Sequence, residues 1–182
     1  MTQAFVANRL DIEAFAKAAG SLSGSDLFPK FPRLLEEAGK KGGDRTVDWQ
    51  VQGEIKSGAS GVAQVWLRVR ASALLPLTCQ RCLEPADIAV SVDRKFRFVE
   101  TEEQAETEDE DAEEDVLALS RDFNLLELIE DELLMALPVV ARHEVCPLDV
   151  KLAVQDPDFE AVSGAKANPF AALGRLKIGK SS

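Results

Sequence analysis

A chain of 182 residues has room for one self-supporting core, and three cysteines, an odd number, exclude a disulfide framework. The net charge of −11 excludes a uniformly basic surface, yet the acidity is local: eleven acids and no bases lie from Glu100 to Asp115, which leaves 21 acids against 21 bases elsewhere. No apolar run reaches membrane-spanning length, and Met1 to Arg9 is neither a basic leader nor the start of an apolar block, so a cytoplasmic protein without membrane contact is expected.

In chain order, Asp11 caps a predicted helix in which Ile12, Phe15, Ala16 and Ala19 recur at helical spacing and Gly20 ends it. Gly20 to Ser25 reads as a flexible link. Pro32 to Ala38 reads as a second short helix, with proline in its first turn and Gly39 just past its end, followed by a loop to Asp44. The period then changes. Val47, Trp49 and Val51 alternate with polar residues, as do Val65, Leu67 and Val69, and then Ile88, Val90, Val92, Phe96 and Phe98, which predicts three half-buried strands. Leu74, Leu75 and Leu77 offer a short fourth. Turn residues at Gly53, Gly58 to Gly61 and Leu83 to Pro85 separate these runs, so neighbours pair antiparallel.

Glu100 to Asp115 has almost no apolar residue and reads as a mobile acidic loop over 100–115. Asn124 with Glu127 three residues on gives a capping-box variant, and Leu126, Ile129, Leu133 and Leu137 form an apolar stripe, widened by Leu125, Leu128 and Leu134 and ended by Pro138. From Pro157 the chain reads as irregular, with a turn of helix around Phe170 to Leu173. No acid follows Glu160, whereas Lys166, Arg175, Lys177 and Lys180 are basic. The expected class is therefore α+β: a twisted antiparallel β-sheet or small open barrel covered by helices in a single domain over 1–160, and a basic C-terminal tail over 161–182.

Cys79-Gln80-Arg81-Cys82 sits between Pro76 and Pro85, and its two thiols either hold a metal or form a redox pair. A thioredoxin-type pair needs its first cysteine at a helix N-terminus, where free amides and the dipole favour the thiolate. Here Pro85 blocks a helix and a strand pattern follows. A knuckle turn between strands fits better, with both sulfurs facing one zinc ion and His143 and Cys146 completing a closed set of three cysteines and one histidine. The alternative is a set of reduced, partly buried thiols beside an unrelated histidine.

Gly174 to Ser181 satisfies the phosphate-loop pattern G-x-x-x-x-G-K-[ST], but it lacks the buried strand before and the helix after that would cradle phosphate, so no nucleotide is expected there. There is no tyrosine, no G-x-S-x-G and no H-E-x-x-H. A solvated acidic run also lacks the fixed, unequal environments that acid–base catalysis needs. No enzyme is expected.

Three motifs in order, Cys79 to Pro85, then Leu125 to Val140 with His143 to Cys146, then Asn168 to Leu173 with Leu176-Lys177, resemble the bacterial YceD family, the large ribosomal RNA subunit accumulation proteins. The resemblance implies a non-enzymatic cytoplasmic factor in large-subunit biogenesis, needed for accumulation or processing of 23S ribosomal RNA. Some relatives carry a second full cysteine pair where this chain has His143 and Cys146, so the zinc site they imply transfers with one ligand replaced.

Two function classes follow. One is an assembly factor binding precursor ribosomal RNA or an early ribosomal protein. Its contacts would be Phe170, Arg175, Lys177 and Lys180 of the tail, joined by Arg68, Arg70, Arg94, Lys95 and Arg97 if these share an exposed sheet face. The other is a thiol redox protein using Cys79 and Cys82. An acidic chaperone for a basic ribosomal protein, with residues 100–115 mimicking RNA charge, is a third.

Overall fold

Three long strands alternate in burial and form an antiparallel meander: β2 (Thr46–Ser57), β3 (Ala63–Thr78) and β4 (Pro85–Val99). The structure, a computed structural model, describes residues 5–58 and 61–148. Leu74 to Leu77 adds no separate strand; it is the continuation of β3. Two shorter strands extend the sheet, β1 (Ser21–Leu27) antiparallel to β2 and β5 (Asp115–Ala118) parallel to β4, giving the order β1-β2-β3-β4-β5. The sheet is mixed and open rather than wholly antiparallel.

One face of the sheet is buried beneath helices α1 (Ile12–Lys17), α2 (Pro32–Glu37) and α4 (Leu125–Met135). Asp11 caps α1 as expected, accepting from the amide of Ala14 at 2.9 Å. Helix α2 has no side-chain cap of its own at Phe31. Buried Glu130 of α4 takes that role, accepting from the amides of Arg33 and Leu34 at 2.7 and 3.1 Å while Arg33 Nε donates to its second oxygen at 3.0 Å. A buried carboxylate is thereby satisfied, and α2 is tied to α4.

The stripe of α4 is centred on Leu125, Ile129 and Leu133, all fully buried, with Leu126 and Leu137 at its margins. Spacing alone leaves the centre of so broad a stripe open. The capping box does not form: Asn124 makes no side-chain cap bond, and its Oδ1 is buried without a partner.

Two further expectations change. Gly20 to Ser25 is not a link, because residues from Ser21 onward pair with β2 as an edge strand. Its small residues have a packing reason: Gly24 lies opposite Trp49, and a Cβ there would come within 2.6 Å of the indole. Trp49 Nε1 in turn donates to Asp26 at 2.8 Å. The acidic stretch is likewise no loop throughout. Thr101 accepts from the amide of Gln104 and caps α3 (Glu102–Asp109), acids occupy its first turn, and Ala105 is buried. Acids near a helix N-terminus are favourable, and Glu, Gln and Ala are good helix formers, so charge density did not preclude order.

Candidate metal centre

Strands β3 and β4 meet in a tight turn from Thr78 to Pro85 that carries both cysteines of the dithiol. The amide of Cys79 donates to the Glu84 carbonyl at 2.9 Å, and the amide of Leu83 donates to the Cys79 carbonyl at 2.8 Å. Leu83 closes the turn at φ +63°, a left-handed conformation unusual for a leucine. A second segment, after α4, lies against this turn through the amide of Gln80, which donates to the Ala141 carbonyl at 2.8 Å. His143 and Cys146 belong to that segment.

The four donors expected from sequence come together. One ligand atom from each of Cys79, Cys82, His143 and Cys146 lies within 4.8 Å of the others. Cys79 Sγ is 3.8 Å from Cys146 Sγ, and Cys82 Sγ is 3.4 Å from His143 Nδ1. A tetrahedral ion with zinc–sulfur bonds of about 2.3 Å and zinc–nitrogen bonds of about 2.0 Å separates its ligands by about 3.8 Å between sulfurs and about 3.5 Å between sulfur and nitrogen. Both measured pairs fit those edges. None of the cysteines is in a disulfide.

Neighbouring groups orient the donors. His143 Nε2 lies 3.0 Å from the Pro85 carbonyl and donates to it, which leaves the Nδ1 lone pair directed at the cluster, the usual arrangement around a ligating histidine. Arg81 Nε donates to Cys146 Sγ at 3.0 Å. Burial pushes the Cys79 thiol up, but hydrogen bonds from the backbone amides of Cys82, His143 and Arg81 outweigh it and bring the group down to about 5. Burial pushes the Cys82 thiol up, against a backbone hydrogen bond from Glu84. Three soft thiolate donors and one imidazole, with amide donors around sulfur, make a set that could hold a metal ion of the zinc type. Cys79 is fully buried, which keeps an incoming disulfide from its sulfur and disfavours thiol exchange.

The basic sheet residues divide. In register, Trp66 faces Arg97, Arg68 faces Lys95 and Arg70 faces Asp93 on the uncovered side, whereas Arg94 stands opposite Val69 on the helix-covered side. Arg94 reaches the rim there to pair with Asp115 and Glu132, so it does not share the exposed face. Arg97 shares that side but is buried under α3, held by Glu108 and Glu114. Phe170, Arg175, Lys177 and Lys180, the helical turn around Phe170 to Leu173 and the boundary at 160–161 all lie outside the described residues.

Sequence reasoning missed Arg81, Leu83 and the Pro85 carbonyl as supports of the cluster. Arg81 was visible between the two cysteines. The histidine's bond to Pro85 has no local signal, since it joins residues 58 positions apart.

No solved structure matches the chain. The family model described as large ribosomal RNA subunit accumulation protein YceD matches residues 67–177, a span that takes in β4, α4, most of β3 and all four donors. With more than half of its length matched, the chain belongs to the YceD family, which is linked to accumulation of large-subunit ribosomal RNA.

Proposed function

We propose that this protein is a non-catalytic, cytoplasmic binding factor in large ribosomal subunit assembly that supports accumulation of 23S ribosomal RNA by contacting precursor RNA or an early ribosomal protein. The observation that carries this reading is the family match over residues 67–177, joined to a donor cluster of structural rather than catalytic type. Cys79, Cys82, His143 and Cys146 would hold one zinc ion, which pins the segment after α4 to the β3–β4 turn. The basic tail, with Arg175, Lys177 and Lys180 beside Phe170, would add phosphate contacts.

Sedimentation of cell extracts at two salt concentrations tests the reading. The protein is expected to travel with large-subunit precursors at low salt and to be released at high salt, and cells depleted of it are expected to lose 23S relative to 16S ribosomal RNA. Free sedimentation at both salts, with an unchanged ratio of the two RNAs, would sink it. Truncation after Val162 is expected to weaken the association and flatten its salt dependence. A truncated protein that restores 23S levels in full at equal expression removes the tail from the mechanism.

A further inference from the structure

Helices α1, α2 and α4 cover one side of the sheet, and on the other side α3 covers only the margin at Arg97, leaving a face that is not uniformly polar. Near the start of β3, Trp66 lies half-buried beside the Arg68–Lys95 pair, and Lys56 Nζ sits 4.3 Å from the centroid of its ring while pairing with Glu54 at 2.7 Å. Lys56, Trp66, Arg68 and Lys95 line one shallow groove, and the three cations line the adjoining groove as well. Arg68 and Lys95 stand directly opposite each other across β3 and β4, an arrangement that destabilises a sheet, so the fold gains nothing from this pair. Asp93 takes up Arg68 through two hydrogen bonds of 2.7 and 2.6 Å, whereas Lys95 is exposed and has no ion-pair partner among the described residues. Asp93, Arg94, Glu113, Glu114 and Asp115 line the rest of the first groove.

We propose that this uncovered face binds single-stranded RNA, with a base stacked on Trp66 and the flanking phosphates held by Lys56, Arg68 and Lys95. An aromatic platform beside a short cationic track is the arrangement by which open sheets take unpaired strands, because every base offers a ring face and the backbone supplies the charge. A base that stacks must displace Lys56 from the indole. An exposed cation–π contact is the weaker of the two interactions, and the freed ammonium remains within reach of phosphate. A duplex hides its base faces and would gain only the electrostatic part. The inference deepens the assembly reading by naming its partner class, and it rests on that reading only for the source of the RNA.

The test uses full-length, zinc-replete protein and fluorescein-labelled single-stranded oligouridylate, with a fully paired RNA duplex as the second probe, read by fluorescence anisotropy. The single strand is expected to bind more tightly than the duplex. Trp66→Ala is expected to weaken binding about tenfold, with Trp66→Phe much closer to wild type. Lys95→Gln is expected to lower the slope of log affinity against log salt by about 0.7, one phosphate contact on a single strand. Lys95 is exposed, so its variant stays informative if Trp66→Ala misfolds. Wild-type affinity and slope in both variants, or equal affinity for strand and duplex, would overturn the proposal. Co-sedimentation separates this outcome from failure of the broader reading. Variants that bind no RNA but still travel with precursor particles leave assembly standing on other contacts. Particle association lost on Lys95→Gln, when the wild type binds neither probe, reassigns the face to a protein partner.

Discussion

The two ends of the β3–β4 hairpin are held by different means. Over its far half, Leu67, Val69, Phe96 and Phe98 sit in a continuous core with α1 and α4. At the turn only Cys79 and Ala141 are buried, while Leu83, Val139, Val140 and Val145 are exposed. Stabilisation by burial scales with the apolar area removed from water, and the sheet has outrun its helices there. Four donors that could hold a metal ion converge where the packing stops. The far half should therefore open only with the whole fold, whereas the turn can be loosened alone.

The largest effect should come from the packed end. Phe96→Ala removes a nearly fully buried ring facing Leu67 and is expected to cost about 3–5 kcal/mol, measured by urea denaturation. A cost below about 1 kcal/mol would mean that the core is not what holds this half. At the other end, Cys82→Ser should abolish the one zinc per chain read by elemental analysis and lower the melting temperature by less than Phe96→Ala does. Its hydrogen-exchange signature should be local, with protection lost in residues 139–146 and kept in β3. Absence of zinc after metal-replete, reducing purification would break the comparison at its metal end.

Much of this contrast was legible in the sequence. Period-2 alternation located the long strands because each has one buried face, and the helix over Leu125 to Met135 announced itself by apolar spacing. Strand β1 escaped because serine, glycine and aspartate carry turn signals, and only the neighbouring Trp49 explains why they sit in a sheet. Strand β5 escaped because it is short, begins in the acidic run and pairs in parallel, which no local pattern reports. The four donors were legible as two clusters, but their convergence depends on the contact between the turn and the segment after α4. Parity did carry the correct side for Arg94, which shares its phase with Val90, Val92 and Phe96; reading it with its cationic neighbours obscured that.

Strain sharpens the difference further. Leu83 is exposed and holds φ +63°, so nothing in the packing repays a side chain there. Left-handed backbone costs a non-glycine residue roughly 1–2 kcal/mol, part of which glycine gives back through its freer unfolded state. Leu83→Gly is expected to raise stability by up to about 1 kcal/mol without changing zinc content. A loss of stability would show that Leu83 packs on something in solution.

The β1 edge of the sheet carries a pH signature. The Asp26 carboxyl is held below its ordinary range by the hydrogen bond from Lys30, against the opposing effect of burial, with Trp49 adding a second donor. A lowered folded value means its contribution is fully present above the ordinary carboxylate value and is lost as pH falls through the folded one. Wild type should lose this increment on acidification, and Asp26→Asn should lack it. The check is the difference in melting temperature between the two proteins. It should shrink as pH drops below about 4. A difference that stays constant from neutral to acid pH would remove Asp26 from the linkage.

The smallest effect should have the opposite sign. Lys95 faces Arg68 across the sheet, is exposed and joins no ion pair among the described residues, so Lys95→Thr removes a like-charge contact and places a good strand former on β4. Surface changes of this kind stay within about 0.5 kcal/mol, and here the expected direction is stabilising. The same substitution should weaken binding of single-stranded RNA. Asp93→Asn offers the control, because it removes the charge that holds Arg68 and one of the two oxygens that accept from it, and should tighten RNA binding at little cost in stability. Opposite movements of stability and affinity across these two variants would mark the open face as kept for a ligand, and parallel movements would return it to the sheet as ordinary surface.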